Sequence, residues 1–378
     1  MIRKLNKLLI IFSISLFLTS CWDYKDINER SITLATGIDF VDGKVEFTGE
    51  LAKLTSPAGE EDERDHSKDV YVNVSYGKDF EEARILYDAK LPYPVFLGAT
   101  QVAIFGERFA RHGIEPYLNR INKLYDYRKT LLIVVSDVPP RKLFNIKQEK
   151  EPSVGLLVED LVNNLREKKM TVYSNFGEML SVLELNGVGY LLPYVGLEDG
   201  EISYKGLAVM RDSKLVGIVD YQDTDGLIYV LAEKPVLTES LFAPGDEENK
   251  YSLRTAVKKR KIKTEYKDGK VIFNLDMLVA GELRYQYYLS KIDDSIKKDL
   301  EKMVSQKLKE DIADIFERSQ KVYKCDIFHF AKNFRAEHPK IYKGLNWEEA
   351  YITAELNINI ETALINLGLT DPNVQKKY

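Results

Sequence analysis

Strand and helix patterns alternate along the first third of the chain, and this order limits the folds that the chain can adopt. Strand patterns are separated by stretches in which apolar residues recur at helical spacing, as over 78–90 and 107–125. Helices that alternate with strands bury their apolar side against a sheet. We therefore predict an α+β fold of mixed α/β lobes, with several mostly antiparallel sheets, packed helices and three subdomains. The strands predicted in this part are 31–39, 44–54, 70–75, 95–106 and 131–136.

The second half of the chain is richer in hairpin patterns. Asp268-Gly269 separates two long strand patterns, 251–266 and 270–281, and Asp-Gly pairs favour tight hairpin turns. Residues 292–316 keep apolar residues at a period of about 3.6 and predict the longest helix of the chain. The other predicted elements are a helix from its N-cap Ser153 to Lys169, a helix over 176–185, strands over 202–211 and 214–220, and a half-buried final strand over 351–362.

Two changes of pattern predict the domain limits. Pro139-Pro140 ends the first alternating unit, and Asp199-Gly200 precedes the hairpin-rich region. A chain of this length predicts two or three domains. We expect a signal peptide over 1–20, an N-terminal region over 21–199 with lobes of about 21–145 and 146–199, and a C-terminal α+β domain over 200–378.

The N-terminus has the form of a bacterial lipoprotein signal. Arg3, Lys4 and Lys7 precede an apolar run over 8–18, which ends in Leu18-Thr19-Ser20-Cys21. Such a run is typical of a secretory signal and is too short for a transmembrane helix, which needs about 20 apolar residues. We predict cleavage between Ser20 and Cys21, with S-diacylglyceryl and N-acyl groups on Cys21. The alternatives are a plain signal peptide with a chance cysteine and a retained N-terminal anchor.

Charge and cysteine content restrict the possible partners. The formal charge is −5, and removal of residues 1–20, which hold three basic and no acidic residues, would make it −8. An acidic protein is a poor candidate for binding nucleic acid. A lipidated Cys21 would leave Cys325 without a disulfide partner, and no second apolar stretch approaches membrane-spanning length. We expect a soluble body that a hydrophobic tether holds outside the cytoplasmic membrane.

Motifs for catalysis or metal binding are missing from the sequence. The histidines show no pair at ligand spacing, and there is no nucleophile elbow, Walker loop or dinucleotide fingerprint. Residues 223–226 (Asp-Thr-Asp-Gly) have the composition of a calcium loop, but Tyr221 occupies the first ligand position, so we predict a polar hairpin turn. Cys325 lacks an accompanying base and is interpreted as structural, and His329 as a packed aromatic residue. We predict no enzyme, no metal site and no cofactor.

One basic run and one acidic stretch stand out from the rest of the chain. Lys258 to Lys263 holds five basic residues and is interpreted either as a contact for lipid headgroups or, preferably, as protection of a sheet edge. Residues 55–69 are strongly charged with almost no apolar content, and are expected to form a solvated, mobile loop.

Several stretches, in this order along the chain, resemble the Ger(x)C lipoproteins, the C subunits of bacterial spore germinant receptors. The resemblance spans nearly the whole mature chain. The stretches that carry it are Cys21-Trp22-Asp23, Ile27-Asn28-Glu29, Ala35-Thr36-Gly37-Ile38-Asp39, Ala110-Arg111-His112-Gly113-Ile114, Asp126-Tyr127-Arg128, Lys205-Gly206-Leu207-Ala208-Val209, Leu215-Val216-Gly217, Cys325-Asp326-Ile327, Trp347 and Gly368.

The resemblance implies a non-enzymatic, lipid-anchored protein on the outer face of the spore inner membrane. It implies a complex with two integral-membrane partners, the A and B subunits, in the response to nutrient germinants, and a fold of three mixed α/β lobes. One alternative is an extracytoplasmic solute-binding lipoprotein of a transporter, which would have two parallel α/β lobes around a cleft. Another is a lipid-anchored hydrolase, which the missing catalytic motifs disfavour.

Overall fold

The computed structural model describes residues 27–366, except 54–69, 124–126, 129, 147–150, 184 and 291. Ser20, Cys21 and the predicted loop over 55–69 lie outside the described residues. The strands are β1 Ser31–Val41, β2 Lys44–Ala52, β3 Val70–Gly77, β4 Val95–Phe96, β5 Val102–Gly106, β6 Leu132–Ser136, β7 Tyr190–Glu198, β8 Glu201–Arg211, β9 Lys214–Asp220, β10 Val236–Ala243, β11 Asp246–Lys267, β12 Lys270–Gln286 and β13 Glu355–Asn366.

Helices lie between most of these strands. They are α1 Phe80–Asp88, α2 Glu107–His112, α3 Glu115–Lys123, α4 Pro140–Phe144, α5 Val154–Glu167, α6 Phe176–Leu183, α7 Asp225–Leu231, α8 Asp294–Arg318, α9 Phe330–Glu337, α10 Pro339–Lys343 and α11 Trp347–Ile352. Short 3₁₀ turns cover Ile27–Glu29 and Tyr221–Asp223, and a π turn covers Ser319–Tyr323. The predicted α+β class is confirmed.

The first sheet has nine strands, eight of them in the order β3-β2-β1-β5-β6-β7-β8-β9, with β4 paired to β1. Its centre is parallel, since β1, β5, β6 and β7 run in the same direction, and its two flanks are antiparallel hairpins. Every residue of β5 and β6 is buried. Parallel strands require crossover helices, which cover both faces of a sheet. This explains why the sequence over 132–135 is continuously apolar.

The two faces of the first sheet support separate parts of the core. Ala103, Phe105 and Ile133 pack with α2 and α3 in the larger cluster, which continues into the second sheet. Ile104 and Val134, on the other face, pack with α4 and α5 in a smaller cluster. Alternate residues of one strand point to opposite faces. Successive residues of β5 and of β6 therefore belong to different clusters.

The second sheet has four strands in the order β10-β11-β12-β13, with β13 parallel to β12. Helix α8 packs on it through the buried side chains of Leu300, Val304 and Leu308. The predicted 3.6 period of this helix is confirmed, and its N-cap is Asp293, whose Oδ1 accepts hydrogen bonds from Ser295 N and Ile296 N at 3.0 and 2.9 Å.

The turn at Asp199-Gly200 lies inside the first sheet. Glu198 pairs with Glu201, and both turn residues have positive φ (50° and 84°), as a tight hairpin requires. The change of sheet comes later, between the end of β9 at Asp220 and the start of β10 at Val236. An Asp-Gly pair predicts a tight turn between two strands, but it does not predict whether those strands belong to the same sheet. The division of the chain into lobes stays a prediction.

Three local predictions need correction. Gly113, with φ at 136°, divides the predicted helix over 107–125 into α2 and α3. The final strand begins at Glu355 and not at residue 351, because Tyr351 belongs to α11 and is buried. The predicted polar hairpin over 223–226 is wrong, since Asp225 opens α7 and a Cβ on Gly226 would lie 2.4 Å from the Asp311 carbonyl oxygen of α8. The absence of a side chain at Gly226 therefore allows α7 to pack closely against α8.

Candidate functional site

An exposed apolar surface lies beside the first residues that the structure describes. Residues 91–97 read Leu-Pro-Tyr-Pro-Val-Phe-Leu and contain no charged side chain. Tyr93 and Phe96 are 47% and 40% exposed. Ile27, four residues before Ser31 in the chain, is 56% exposed. We call residues 91–97 together with Ile27 the apolar surface. Large apolar side chains grouped in this way at a protein surface mark contact with a partner or a membrane.

Hydrogen bonds fix this surface to the start of β1. β4 runs parallel to β1, with Ser31 paired to Val95. Ser31 N donates to Pro94 O at 3.0 Å, and Ser31 Oγ donates to Tyr93 O at 2.9 Å. Ser31 is itself buried. The apolar surface is therefore held against the chain segment that follows the predicted lipidation site.

Two prolines and a glycine explain why these side chains stay exposed. Pro92 and Pro94 have no backbone N–H and cannot continue a strand ladder. The Phe96 ring lies over Gly98, where a Cβ would come within 2.7 Å of the ring Cζ. Arg128 Nε donates to Gly98 O at 2.6 Å and holds the turn that follows. The segment is ordered by its backbone, which leaves its side chains at the surface.

A cavity of about 470 Å³ lies behind the apolar surface. Its apolar wall comes from the same segment, through Leu91, Pro92, Val95 and Leu97. Its polar wall comes from β1, α1 and α3, and includes Thr33, Tyr87, Arg84 and Arg120. A concave, mainly apolar space with a few polar groups is the usual form of a small-molecule site.

Three polar atoms in this wall have no partner at ordinary hydrogen-bond distance and angle, although the Tyr87 hydroxyl faces that of Thr33. They are Thr33 Oγ1, Tyr87 OH and Arg120 Nε, and both hydroxyl-bearing residues are only 1% exposed. Burial raises the pKa of Tyr87 well above its ordinary value. Its ring packs edge-on against Phe47 at 4.9 Å, and its hydroxyl occupies the space that a side chain at Gly49 would need. Buried polar groups without partners are uncommon in native proteins, so this wall can bind hydrogen-bonding groups.

Ion pairs at the edge of the cavity balance its positive charges. Glu81 accepts from Arg84 Nη2 at 2.9 Å and from Arg120 Nη1 at 3.1 Å, and Arg84 also pairs with Asp88. The hydrogen bond from Arg84 lowers the pKa of Glu81. The cavity contains no general base beside a nucleophile, and among residues 27–366 with the stated gaps no cluster of His, Cys, Asp or Glu could hold a metal. The hydroxyl, guanidinium and apolar groups of its lining suit non-covalent binding.

Cys325 is buried and His329 is half-buried, as expected of structural residues. Cys325 is 1% exposed, and burial raises the pKa of its thiol to about 12. Gly189 makes room for it, because a Cβ there would lie 2.7 Å from Sγ. His329 Nε2 lies 3.1 Å from Gly189 O, and burial lowers the pKa of the imidazole to about 4. The thiol and the imidazole are therefore both neutral at pH 7.

The basic run lies where β11 extends past its neighbour. The last residue of β11 that pairs with β10 is Ala256, opposite Val236. Lys258, Lys259, Lys261 and Lys263 beyond it are exposed, whereas Arg260 turns inward and donates to the carbonyl oxygens at the end of α7 at 2.7 and 2.9 Å. This position agrees with the interpretation that the lysines protect a sheet edge.

A second group of exposed large apolar residues lies at the end of β12 and just beyond it. Tyr285, Tyr287, Tyr288 and Leu289 are between 54% and 75% exposed. Asn249 holds this segment by bonds to both backbone groups of Tyr288, each of 2.9 Å. It directly follows Arg284, which is paired with Glu282. The part of the chain that the structure describes has no helix long and apolar enough to span a bilayer.

The apolar surface was not predicted from the sequence. The strand predicted over 95–106 is the only interpretation given for this part of the chain. The structure has two short strands there separated by a turn. The signal was available as seven consecutive uncharged residues with two prolines. Such a run is also typical of a buried strand, and only the fold shows that it is exposed.

Two family models match the chain. The N-terminal domain of spore germination proteins matches residues 23–197, and the C-terminal domain described as spore germination B3/GerAC-like matches residues 205–368. Spore germination protein B3 of Bacillus subtilis (strain 168) is 24% identical, over 97% of this chain and 99% of its own length.

Further relatives have the same full-length extent. Spore germination protein A3 of the same organism is 22% identical over 97% of this chain and 99% of its own length. The crystal structure of the GerBC protein matches 88% of this chain and 97% of its own, with a TM-score of 0.55 and 19% identity, and therefore has the same fold. Because the two models together match most of the sequence, this chain belongs to the Ger(x)C family of spore germination proteins.

Proposed function

We propose that this chain is a lipid-anchored, non-enzymatic subunit of a membrane germinant receptor complex, needed for nutrient-triggered spore germination. The observation that carries the proposal is the match of both family models in order over residues 23–197 and 205–368. The relatives are named as spore germination proteins and match over almost their whole length. The part of the chain outside the family match is mainly the predicted signal peptide.

The anchor in this proposal is Cys21. It lies two residues before the first residue of the family match and directly after the apolar run over 8–18. Diacylation of its thiol and acylation of its amino group would give stable attachment, since each buried CH₂ contributes about 0.8 kcal/mol and a single chain binds only reversibly. The attached body would lie on the outer face of the spore inner membrane.

The partners in this proposal are the integral-membrane A and B subunits of the receptor. Two surfaces with exposed aromatic residues, 91–97 and 285–289, are available for contacts. The non-enzymatic role is supported by the cavity wall, which offers hydroxyl and guanidinium groups without a paired nucleophile and base. We expect the chain to act by binding the A and B subunits and not by catalysing a reaction.

The alternative of a solute-binding lipoprotein predicts two parallel α/β lobes around a cleft. The two sheets here differ in size and pairing, since the first is mixed and the second is antiparallel except for β13. Thermal denaturation with a panel of amino acids and sugars tests this alternative. A clear rise in melting temperature for the isolated protein would favour the solute binder over the receptor subunit.

A Cys21→Ala substitution tests the proposal. We expect loss of labelling by radioactive palmitate, release of the protein from the membrane fraction and impaired nutrient-triggered germination. Cys325→Ala is the matched control, because the Cys325 thiol is buried and should leave labelling and membrane attachment unchanged. Normal germination in spores that hold only soluble, unlabelled Cys21→Ala protein would contradict the proposed role of the anchor.

A further inference from the structure

We infer that the apolar surface lies in the headgroup region of the bilayer to which the chain is anchored. This inference rests on the proposed lipidation of Cys21 and adds the orientation in which the body meets the membrane. The surface is formed by Ile27, Tyr93, Phe96 and the prolines between and before the two aromatic residues. Its occupant is a phospholipid surface.

Chain length places this surface near the anchor. Ile27 is six positions after Cys21 in the sequence. An extended chain spans at most about 3.5 Å per residue, so Ile27 lies within about 21 Å of the lipidated residue. Ser31 follows four residues later and is bonded to Pro94 O and Tyr93 O. The apolar surface therefore cannot move far from the membrane while the anchor is inserted.

The chemistry of the surface suits the interface between water and lipid. Tyrosine is enriched there because its ring is apolar and its hydroxyl stays hydrated. Residues 91–97 carry no charge that would have to be desolvated, and prolines 92 and 94 remove two N–H groups that would otherwise need partners. The backbone N–H of Ser31 is already bonded to Pro94 O. The polar cost of placing this segment among headgroups is therefore small.

The net charge of the body opposes contact with an anionic membrane, and the exposed lysines of the basic run lie more than 200 residues from Cys21 along the chain. Its formal charge without residues 1–20 is −8, which opposes approach to an anionic surface. Contact near the anchor must then come from uncharged apolar groups, and the apolar surface supplies them. The other exposed aromatic group, 285–289, has no comparable connection through the chain to Cys21, since about 260 residues separate them.

Tryptophan fluorescence in vesicles with brominated lipids tests the inference. The chain has two tryptophans, Trp22 beside the anchor and the buried Trp347. Full-length lipidated protein carrying Trp22→Phe gives the background from Trp347. Phe96→Trp and, separately, Tyr93→Trp are added to it as reporters in vesicles of phosphatidylcholine and phosphatidylglycerol, with bromines near the headgroup end of the acyl chains.

We expect at least a twofold loss of reporter emission for Phe96→Trp and Tyr93→Trp. Phe242→Trp is the matched control, because Phe242 is 49% exposed but lies in β10 of the second sheet, and its emission should change by less than a tenth. Unmodified Trp22 reports insertion of the anchor itself and should be quenched in the parent protein. Far-ultraviolet circular dichroism confirms that each reporter variant is folded.

The outcomes separate this inference from the proposed function. Quenching of Trp22 with no quenching at positions 93 and 96 overturns the inference and leaves the anchor in place. No quenching at Trp22 either would overturn the anchor and the inference together. Equal quenching of Phe242→Trp would indicate general adsorption and overturn the assignment of this surface. A reporter at position 96 that responds only when the integral-membrane subunits are added would assign the surface to a protein contact.

Discussion

The two sheets of this protein bury their strands in different ways. In the first sheet, β5 and β6 are buried along their whole length, with helices on both faces. In the second sheet, β13 alternates between exposed and half-buried residues over most of its length. A polar row occupies its open face, where Asn357 Nδ2 donates to Asn274 Oδ1 at 2.9 Å.

This difference follows from how the helices cover the two sheets. The parallel centre of the first sheet requires crossovers, whose helices fill both faces. The second sheet is built mostly from hairpins, and α8 covers one face only. An apolar residue should therefore contribute more to the free energy of unfolding in the first sheet than at the edge of the second. The contribution of a buried polar atom should depend on whether it has a hydrogen-bond partner.

The largest expected effect comes from shortening one isoleucine in each sheet. Ile104→Ala removes a fully buried side chain from β5 and should lower the free energy of unfolding by about 3–4 kcal/mol. The matched Ile358→Ala, at a half-buried position of β13, should cost about 1 kcal/mol. Urea denaturation followed by circular dichroism measures both. Equal losses for the two variants would contradict the difference in burial between the sheets.

A smaller effect concerns the connection between the sheets, which begins with α7. Burial, together with the Glu239 carboxylate, raises the pKa of Asp225 from 3.8 to about 6. The folded state then holds this proton more tightly than the unfolded state. This contribution to stability is complete below pH 3.8 and is lost as the pH rises through 6.

The Asp225→Asn variant isolates this pH dependence. Between pH 4 and pH 7 the parent protein should lose about 2 kcal/mol more than the variant, a value reduced because Asp225 is partly exposed. Lys307, which pairs with Glu239 at 3.3 Å, is unchanged in both proteins. Urea denaturation at several pH values measures the difference. Parallel pH profiles for the two proteins would show that Asp225 has an ordinary pKa.

The last comparison, which includes the smallest single effect, concerns one buried tyrosine from each region. Tyr87 OH, in the cavity behind the apolar surface, has no hydrogen bond, so Tyr87→Phe should raise the free energy of unfolding by up to about 1 kcal/mol. Tyr229 OH bonds to Glu239 Oε1 and Thr255 Oγ1, so Tyr229→Phe should lower it by about 2 kcal/mol. Thermal and urea denaturation measure both. A loss of stability in Tyr87→Phe would mean that its hydroxyl has a partner.

Local features of this fold could be predicted from the sequence. Ser153 caps α5 through its Oγ, which accepts from Leu156 N at 3.0 Å, and the Asp268-Gly269 pair forms the expected hairpin turn. The alternating pattern of the last strand also persists in β13. Caps, tight turns and apolar periods depend on neighbouring residues, which is why one sequence is enough to find them.

Features that depend on distant residues could not be predicted. Asp199-Gly200 gave the correct turn, but strand pairing across the first sheet placed it within that sheet. Gly226 looked like part of a polar loop, while contact with Asp311 of α8 explains its place in a helix. The exposure of residues 91–97 follows from the pairing of β4 with β1. In each case the structure depends on a contact between residues that are far apart in the sequence, and the sequence pattern does not show which residues will be in contact.

By itself, the sequence determined the α+β class and the positions of most turns and helices, and it predicts a lipoprotein signal before Cys21, because each of these depends on adjacent residues. Only the tertiary structure decided which strands share a sheet, which polar atoms are buried without partners, and that an uncharged segment faces outward beside the chain's first described residues. Burial is a property of the assembled fold, and a sequence pattern states only which residues would tolerate it.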